Sequence, residues 1–215
     1  MYSRKAVDLW SQIGGGVGSF RVSSPDTKST VLVQGVTIAN DDERVVLEVN
    51  GALGKARVDL GPGVGSELTW APNAKAFFVT TSDQGLNGSY RLIVVEAFNG
   101  RLAARDLTKL IYKQFGHPVR CGGTESPNVG GVGWINDGHI LVAAEIVNHS
   151  NCDSSGTFKT YEVDPIRMRI VRSYSQLEAK QKFRTLLGGE LKDAPDECIR
   201  NPKICYVSTN HEKSR

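Results

Sequence analysis

The sequence predicts a mainly β protein, built of antiparallel strands in stacked sheets with two short helices. Three observations carry that expectation. First, residues 66–105 hold short apolar runs at 68–71, 76–81 and 90–97. Pro72-Asn73 and the polar stretch 83–89 part these runs, and Asn99-Gly100 leads into a fourth run at 101–105. Apolar runs of that length between Gly, Asn, Asp and Pro are strands joined by tight turns. Second, a polar turn followed by an apolar strand recurs at a spacing of roughly fifty residues, the mark of stacked β units. Third, helical periodicity is confined to two places.

Taken in order, residues 1–12 carry Val7, Leu9 and Trp10 in weak alternation and form an opening strand or a short helix. Gly14-Gly15-Gly16-Val17-Gly18 is a flexible turn. A phosphate-binding loop needs a helix after the glycines, whereas Ser19-Phe20-Arg21-Val22 continues as a strand. The recurring theme then appears as Ser24-Pro25-Asp26-Thr27-Lys28 before Val31-Leu32-Val33. It returns as Trp70-Ala71-Pro72-Asn73-Ala74-Lys75 before Ala76-Phe77-Phe78-Val79. Its third appearance is Trp134-Ile135-Asn136-Asp137-Gly138-His139 before Ile140-Leu141-Val142-Ala143. The last two units each add a polar loop, a third strand (90–96 and 157–163) and a fourth (101–105 and 168–173). Residues 117–133 are expected to be a long loop.

The first helix is expected within 102–115, where Leu107, Leu110, Ile111 and Phe115 fall at helical spacing before Gly116 and Pro118. Ser175-Gln176-Leu177-Glu178 is a capping box for the second, which runs on through Leu177, Phe183, Leu186 and Leu187 to Gly188-Gly189. Stripes of this kind pack on a sheet or offer a groove to a partner helix. Residues 1–174 read as one β domain, and 175–215 as a helix, a cysteine loop and a tail that pack on it.

The turn Trp70-Ala71-Pro72-Asn73-Ala74-Lys75 and the strand from Tyr90 through Glu96 to Gly100 resemble the blades of TolB-like and WD40-like β-propellers. In those blades a W-S-P-D-G-K turn links the first two strands, and a strand of the pattern y-x-l-y-v-v-d-x-x-t-G comes third. The segment from Trp134 to His139 fits without the proline, and Ser24 to Lys28 fits without the tryptophan. The resemblance spans roughly residues 20–174 and implies four-stranded blades. Closed propellers have at least four blades, and three are counted here, the first over 19–60. The resemblance therefore implies either a partial, open propeller or a twisted sandwich with blade-like turns. An open stack leaves edge strands to be covered, a task the helices could perform.

Composition bounds the function. The 26 Lys and Arg are interspersed with 23 acids for a net charge of +3, so no basic patch for nucleic acid is expected. No apolar run is long enough to span a membrane. Met1-Tyr2-Ser3-Arg4-Lys5 has positive charge but no apolar segment behind it, so it is not a signal peptide. The cysteines nonetheless favour a leader already removed. Cys198 and Cys205 bracket a short loop containing Pro202, well suited to a local disulfide, and Cys121 and Cys152 lie in Gly- and Ser-rich loops that a second bridge could join. Free thiols and zinc are the alternatives. For zinc only His149-x-x-Cys152 approaches ligand spacing, and no metal or cofactor is expected. Two disulfides place the chain in the periplasm or outside the cell.

No catalytic residue is assigned. A G-x-S-x-G elbow is absent. His139, in a blade turn, and His211, in the tail, are expected to be ordinary surface residues. A carboxylate pair such as Asp83 with Glu96 or Glu145 has no spacing to single it out. The loops 82–89 and 148–156 are more informative, because both join the second strand to the third and so should leave the stack on one side. Adjacent loops on a rigid scaffold make a binding surface. Asp83, Gln84, Asn87, His149, Asn151 and Asp153 are the candidate contacts with a protein partner, and a bridge from Cys152 to Cys121 would lower the ordering cost of binding. The expected role is thus a non-catalytic exported binding protein, such as an inhibitor or immunity protein of a toxic enzyme in a bacterial envelope. A hydrolase of glycans or peptides and a structural subunit of an envelope complex are the rivals.

Overall fold

A computed structural model describes residues 1–14, 18–38, 42–62, 65–82, 90–98, 101–115, 127–135, 138–146 and 155–195. The chain opens with β1 (Val7–Asp8) and runs directly into the single-turn helix α1 (Leu9–Gln12), so the opening segment is strand and helix in succession. Asp8 makes the switch, its Oδ1 accepting the Ser11 amide at 3.1 Å. The first sheet follows as β2 (Ser19–Ser23), β3 (Ser29–Ile38), β4 (Asp42–Gly51) and β5 (Ala56–Asp59). The second is β6 (Glu67–Trp70), β7 (Ala76–Ser82), β8 (Tyr90–Phe98) and β9 (Arg101–Asp106), with β1 added beside β6. After α2 (Thr108–Phe115), the third is β10 (Asn128–Ile135), β11 (His139–Glu145), β12 (Phe158–Asp164) and β13 (Arg169–Tyr174). Each sheet is an antiparallel meander, and none closes into a barrel. Two further helices, α3 (Gln176–Lys182) and the single turn α4 (Gly189–Lys192), complete the described chain. The architecture is mainly β, as the sequence predicts.

Three features depart from the sequence reading. Residues 102–106, read both as the fourth strand of the unit and as the start of a helix, are strand only, because they pair with β8. The helix begins only where Asp106 Oδ1 accepts the Thr108 amide at 2.9 Å. Residues 128–133 are not loop but the inner strand β10, disguised by Gly130, Gly131 and Gly133. Among the described residues four helices replace the expected two, the additional ones being single turns.

The side-chain pattern sets the stacking. Every residue of β7 is buried, so this strand has a core on both faces. Phe77 and Val79, with Ile93 and Val95 of β8, meet Val31, Val33, Val45, Leu47 and Val49 of the first sheet. Phe78, Leu92 and Val94 point the other way, to Val129, Ile140, Val142 and Tyr161 of the third. The second sheet is therefore the filling of the stack. Beyond the third sheet, Leu141, Ala143 and Phe158 pack under Ala179, Phe183, Leu187 and Leu191 of the C-terminal helical segment. The helices thus cover a sheet face rather than strand edges. The capping box on α3 forms as expected, with Ser175 Oγ accepting the Glu178 amide at 3.3 Å and Glu178 Oε2 accepting the Ser175 amide at 2.7 Å. The outward face of the first sheet is polar, carrying the ion pairs Arg44–Asp59 and Arg57–Glu48.

Arg105 on β9 ties the second sheet to the β12–β13 turn. Its Nη1 donates to the carbonyls of Pro165 at 3.2 Å and Ile166 at 2.5 Å, while its Nε lies 3.2 Å from the buried Glu96 carboxyl.

The two proline turns are the same structure written twice. Thr27 N donates to Ser24 O, and Ala74 N to Ala71 O, each at 2.9 Å. Asp26 Oδ1 and Asn73 Oδ1 accept the amides of Lys28 and Lys75 at 3.1 and 3.0 Å. Thr27 and Ala74 occupy the left-handed region, at φ of 60° and 58°, where a Cβ is unfavourable. Thr27→Gly is expected to stabilise the fold by roughly 0.5–1 kcal/mol, read as a higher urea midpoint at unchanged slope. A lower midpoint would show that the threonine hydroxyl, which donates to Asp26 O at 2.7 Å, outweighs the backbone strain.

Candidate functional site

The strand ends identify the region. β7 ends at Ser82 opposite the start of β8 at Tyr90, and β11 ends at Glu145 opposite Phe158 of β12. Between these pairs run 83–89 and 146–157. One residue joins the two ends. Tyr2 lies 5.6 Å from Tyr90, ring centre to ring centre, and its hydroxyl donates to Glu145 Oε2 at 2.6 Å. The β7–β8 end and the β11–β12 end therefore meet at Tyr2, which forms a floor between them.

That floor is buried and acidic. Tyr2 is 3 % exposed, Glu67 3 % and Glu145 1 %. The Tyr2 amide donates to Glu67 Oε1 at 3.1 Å, so the tyrosine is held at one end by each glutamate. A methyl at Gly130 would stand 2.5 Å from the Tyr2 ring, and only a glycine lets β10 pass so close. Around the floor, Ser66 and Thr81 share a hydroxyl hydrogen bond of 2.8 Å, Thr69 Oγ1 donates to Ser3 Oγ at 3.3 Å, and Thr80 Oγ1 accepts the Gly131 amide at 2.9 Å.

Burial governs the charge state. Glu67 is pushed up to about 7 by desolvation, against the Met1 amino group, the Tyr2 and Ser3 amides and the Thr80 hydroxyl, which favour its charged form. Glu145 is likewise raised to about 7, by burial first and further by the charge of Glu190, while the Tyr2 hydroxyl opposes the rise. Burial and then Glu145 hold the Tyr2 phenol well above its ordinary range. Glu67 Oε2 and Glu145 Oε1 are both buried without a hydrogen-bond partner. Neutral carboxyls answer that placement better than carboxylates.

A second polar group lies on the outer face of the third sheet. His139 Nδ1 is 2.7 Å from Glu162 Oε1, and Tyr174 Oη donates to Glu162 Oε2 at 3.0 Å. His139 is therefore a half-buried partner of a carboxylate rather than an ordinary surface residue. The Lys182 ammonium sits 4.9 Å over the Tyr174 ring.

The candidate contacts Asp83, Gln84, Asn87, His149, Asn151 and Asp153 lie outside the described residues, as do Cys121, Cys152, Cys198, Cys205, His117 and His211. Of the carboxylates weighed with Asp83, Glu145 belongs to the floor. Glu96 pairs with Arg105, toward the opposite end of β8. Glu67 carried a legible signal that sequence reasoning passed over: it shares a strand face with Thr69, both buried, so a charged side chain stands in register with the core. Glu145 likewise alternates with Leu141 and Ala143. Among the described residues no group of three His, Cys, Asp or Glu side chains could hold a metal ion, and no helix is long and apolar enough to cross a membrane. No family model matches the chain, and no curated protein does.

Proposed function

We propose that the chain is a non-catalytic exported binding protein whose three sheets are the blades of an open, propeller-like stack. It recognises a protein partner through the loops 82–89 and 148–156, with Asp83, Gln84, Asn87, His149, Asn151 and Asp153 as contacts. The observation that supports this reading is the convergence of the β7–β8 and β11–β12 ends on Tyr2, a shared base from which two loops would form one surface. Bridges joining Cys121 to Cys152 and Cys198 to Cys205 belong to the same reading. The first would pin the second loop and set the protein in an oxidising compartment. An inhibitor or immunity protein that blocks a toxic enzyme in a bacterial envelope is the role such a module fits.

The raised carboxyls of Glu67 and Glu145 favour a second reading, a hydrolase working with paired carboxyl groups. Both lie beneath Tyr2, however, and a substrate would have to displace that ring to reach either. The binding reading needs no such displacement.

Affinity capture from an extract of the source organism, with the oxidised protein as bait and mass spectrometry as readout, tests the proposal. One stoichiometric protein partner is expected, most tellingly a secreted enzyme whose activity falls on binding. Turnover of a glycan or peptide by the bait, abolished by Glu145→Gln, would transfer the case to the hydrolase.

A further inference from the structure

We propose that Glu67, Tyr2 and Glu145 form a proton-operated latch, which holds the N-terminal segment across the seam between the second and third sheets and against the C-terminal helices. The segment is placed as a strap. β1 pairs with β6 of the second sheet, while the Tyr2 ring lies over Gly130 of the third. Ser3 bridges Leu187, the Arg4 amide donates to Leu186 O at 3.0 Å, and the Gly188 amide donates to Tyr2 O at 2.8 Å. The strap thus joins parts of the chain that are far apart in sequence. Its buried anchor is Tyr2, and that anchor is fastened at both ends to carboxyl groups.

The fastening responds to protons because of what surrounds it. Facing the two carboxyls are the Met1 amino group and the Ser3 amide from the strap, Thr80 from β7, Tyr90 from β8 and Glu190 from α4. One positive group thus stands against three carboxyls, and each latch carboxyl keeps one buried oxygen unpartnered. With both protons on, the cluster is close to neutral and Tyr2 stays between its partners. With both protons off, Tyr2 still donates to one oxygen of each carboxylate, but the second oxygens stay buried near Glu190 with no donor, and their relief is water. Water reaches them only when Tyr2 lifts. The latch is therefore closed in mildly acidic solution and loosened above neutrality. Its consequence for partner binding rests on the loop reading above, since Tyr2 lies at the strand ends beside both loops; the latch itself does not.

Native-state amide hydrogen exchange of the whole chain between pH 5.5 and 8.5, corrected for intrinsic exchange rates, tests this directly. The reporting amides are Tyr2, Arg4 and Gly188; those of Val33 and Leu47 in the first sheet serve as controls. The strap amides are expected to exchange through a local opening that low urea does not promote, with protection falling roughly tenfold or more as the pH rises, whereas the controls exchange by global unfolding with its full urea dependence. Glu67→Gln with Glu145→Gln should abolish the fall at the strap. Should the double variant fail to fold, Glu145→Gln alone is expected to reduce the pH response of Gly188 and Arg4 by roughly half on a logarithmic scale. Strap exchange with the same urea dependence as the controls, or a fall that persists undiminished in the glutamine variants, overturns the latch. The measurement involves no partner, so its failure leaves the loop reading intact, and failed capture leaves the latch intact.

Discussion

Gly131→Ala is expected to destabilise the protein by about 3 kcal/mol. The reason is a close approach between sheets. A methyl at position 131 would stand 2.3 Å from Phe78 Cε2, and Phe78 is fully buried with Trp134 5.8 Å away, ring centre to ring centre. The ring cannot swing aside without leaving the core shared by the second and third sheets. Moving β10 instead would stretch the bond from the Gly131 amide to Thr80 Oγ1. Gly133→Ala is the control on the same strand, because its methyl would meet the Leu186 side chain no closer than 3.3 Å. That variant should cost less than about 1.5 kcal/mol. Urea unfolding of both decides the matter. Equal stability of Gly131→Ala and the wild type would mean that the sheets do not pack this closely.

The second large effect is on pH. A carboxyl raised in the folded chain holds its proton where the unfolded chain has already lost it. The stabilisation from Glu67 and Glu145 is therefore full below their unfolded value of 4.5. It declines as the pH climbs through the window up to about 7, and stays at its lower level above that. Together the two groups should make the protein less stable at pH 8 than at pH 5 by on the order of 3 kcal/mol. For a chain of this length that is a fall in Tm of roughly 6–12 °C. Glu67→Gln and Glu145→Gln should each flatten the profile, whatever they do to its height. A melting temperature that rises from pH 5 to pH 8, or a slope unchanged in both variants, would show that the buried carboxyls are not the titrating groups.

Much of this fold could be read from the chain. Strands β6 to β9 were legible because apolar runs ended at Pro72-Asn73, Asn99-Gly100 and the polar 83–89, where turn chemistry and side-chain pattern agree. The α3 capping box was local in the same way. β10 was hidden for the converse reason. Its glycines are a response to Tyr2, Phe78 and Leu186, partners distant in sequence that no local window contains. The floor of the site was hidden likewise. Glu67 and Glu145 stand seventy-eight residues apart, and what unites them is Tyr2, a residue whose neighbours in the chain give no sign that it is buried. The sequence also led to the expectation that the loops 82–89 and 148–156 emerge together, because each follows the second strand of a repeated unit; their candidate contacts lie outside the described residues.

The account stands or falls on whether those two loops act as one surface. The most direct measurement is calorimetric titration of the captured partner into three proteins: the wild type, a deletion of residues 83–88, and Cys152→Ser. Weaker binding by both altered proteins, with melting temperatures close to that of the wild type, is the predicted result. Unchanged affinity in both would contradict it and place the partner elsewhere on the molecule.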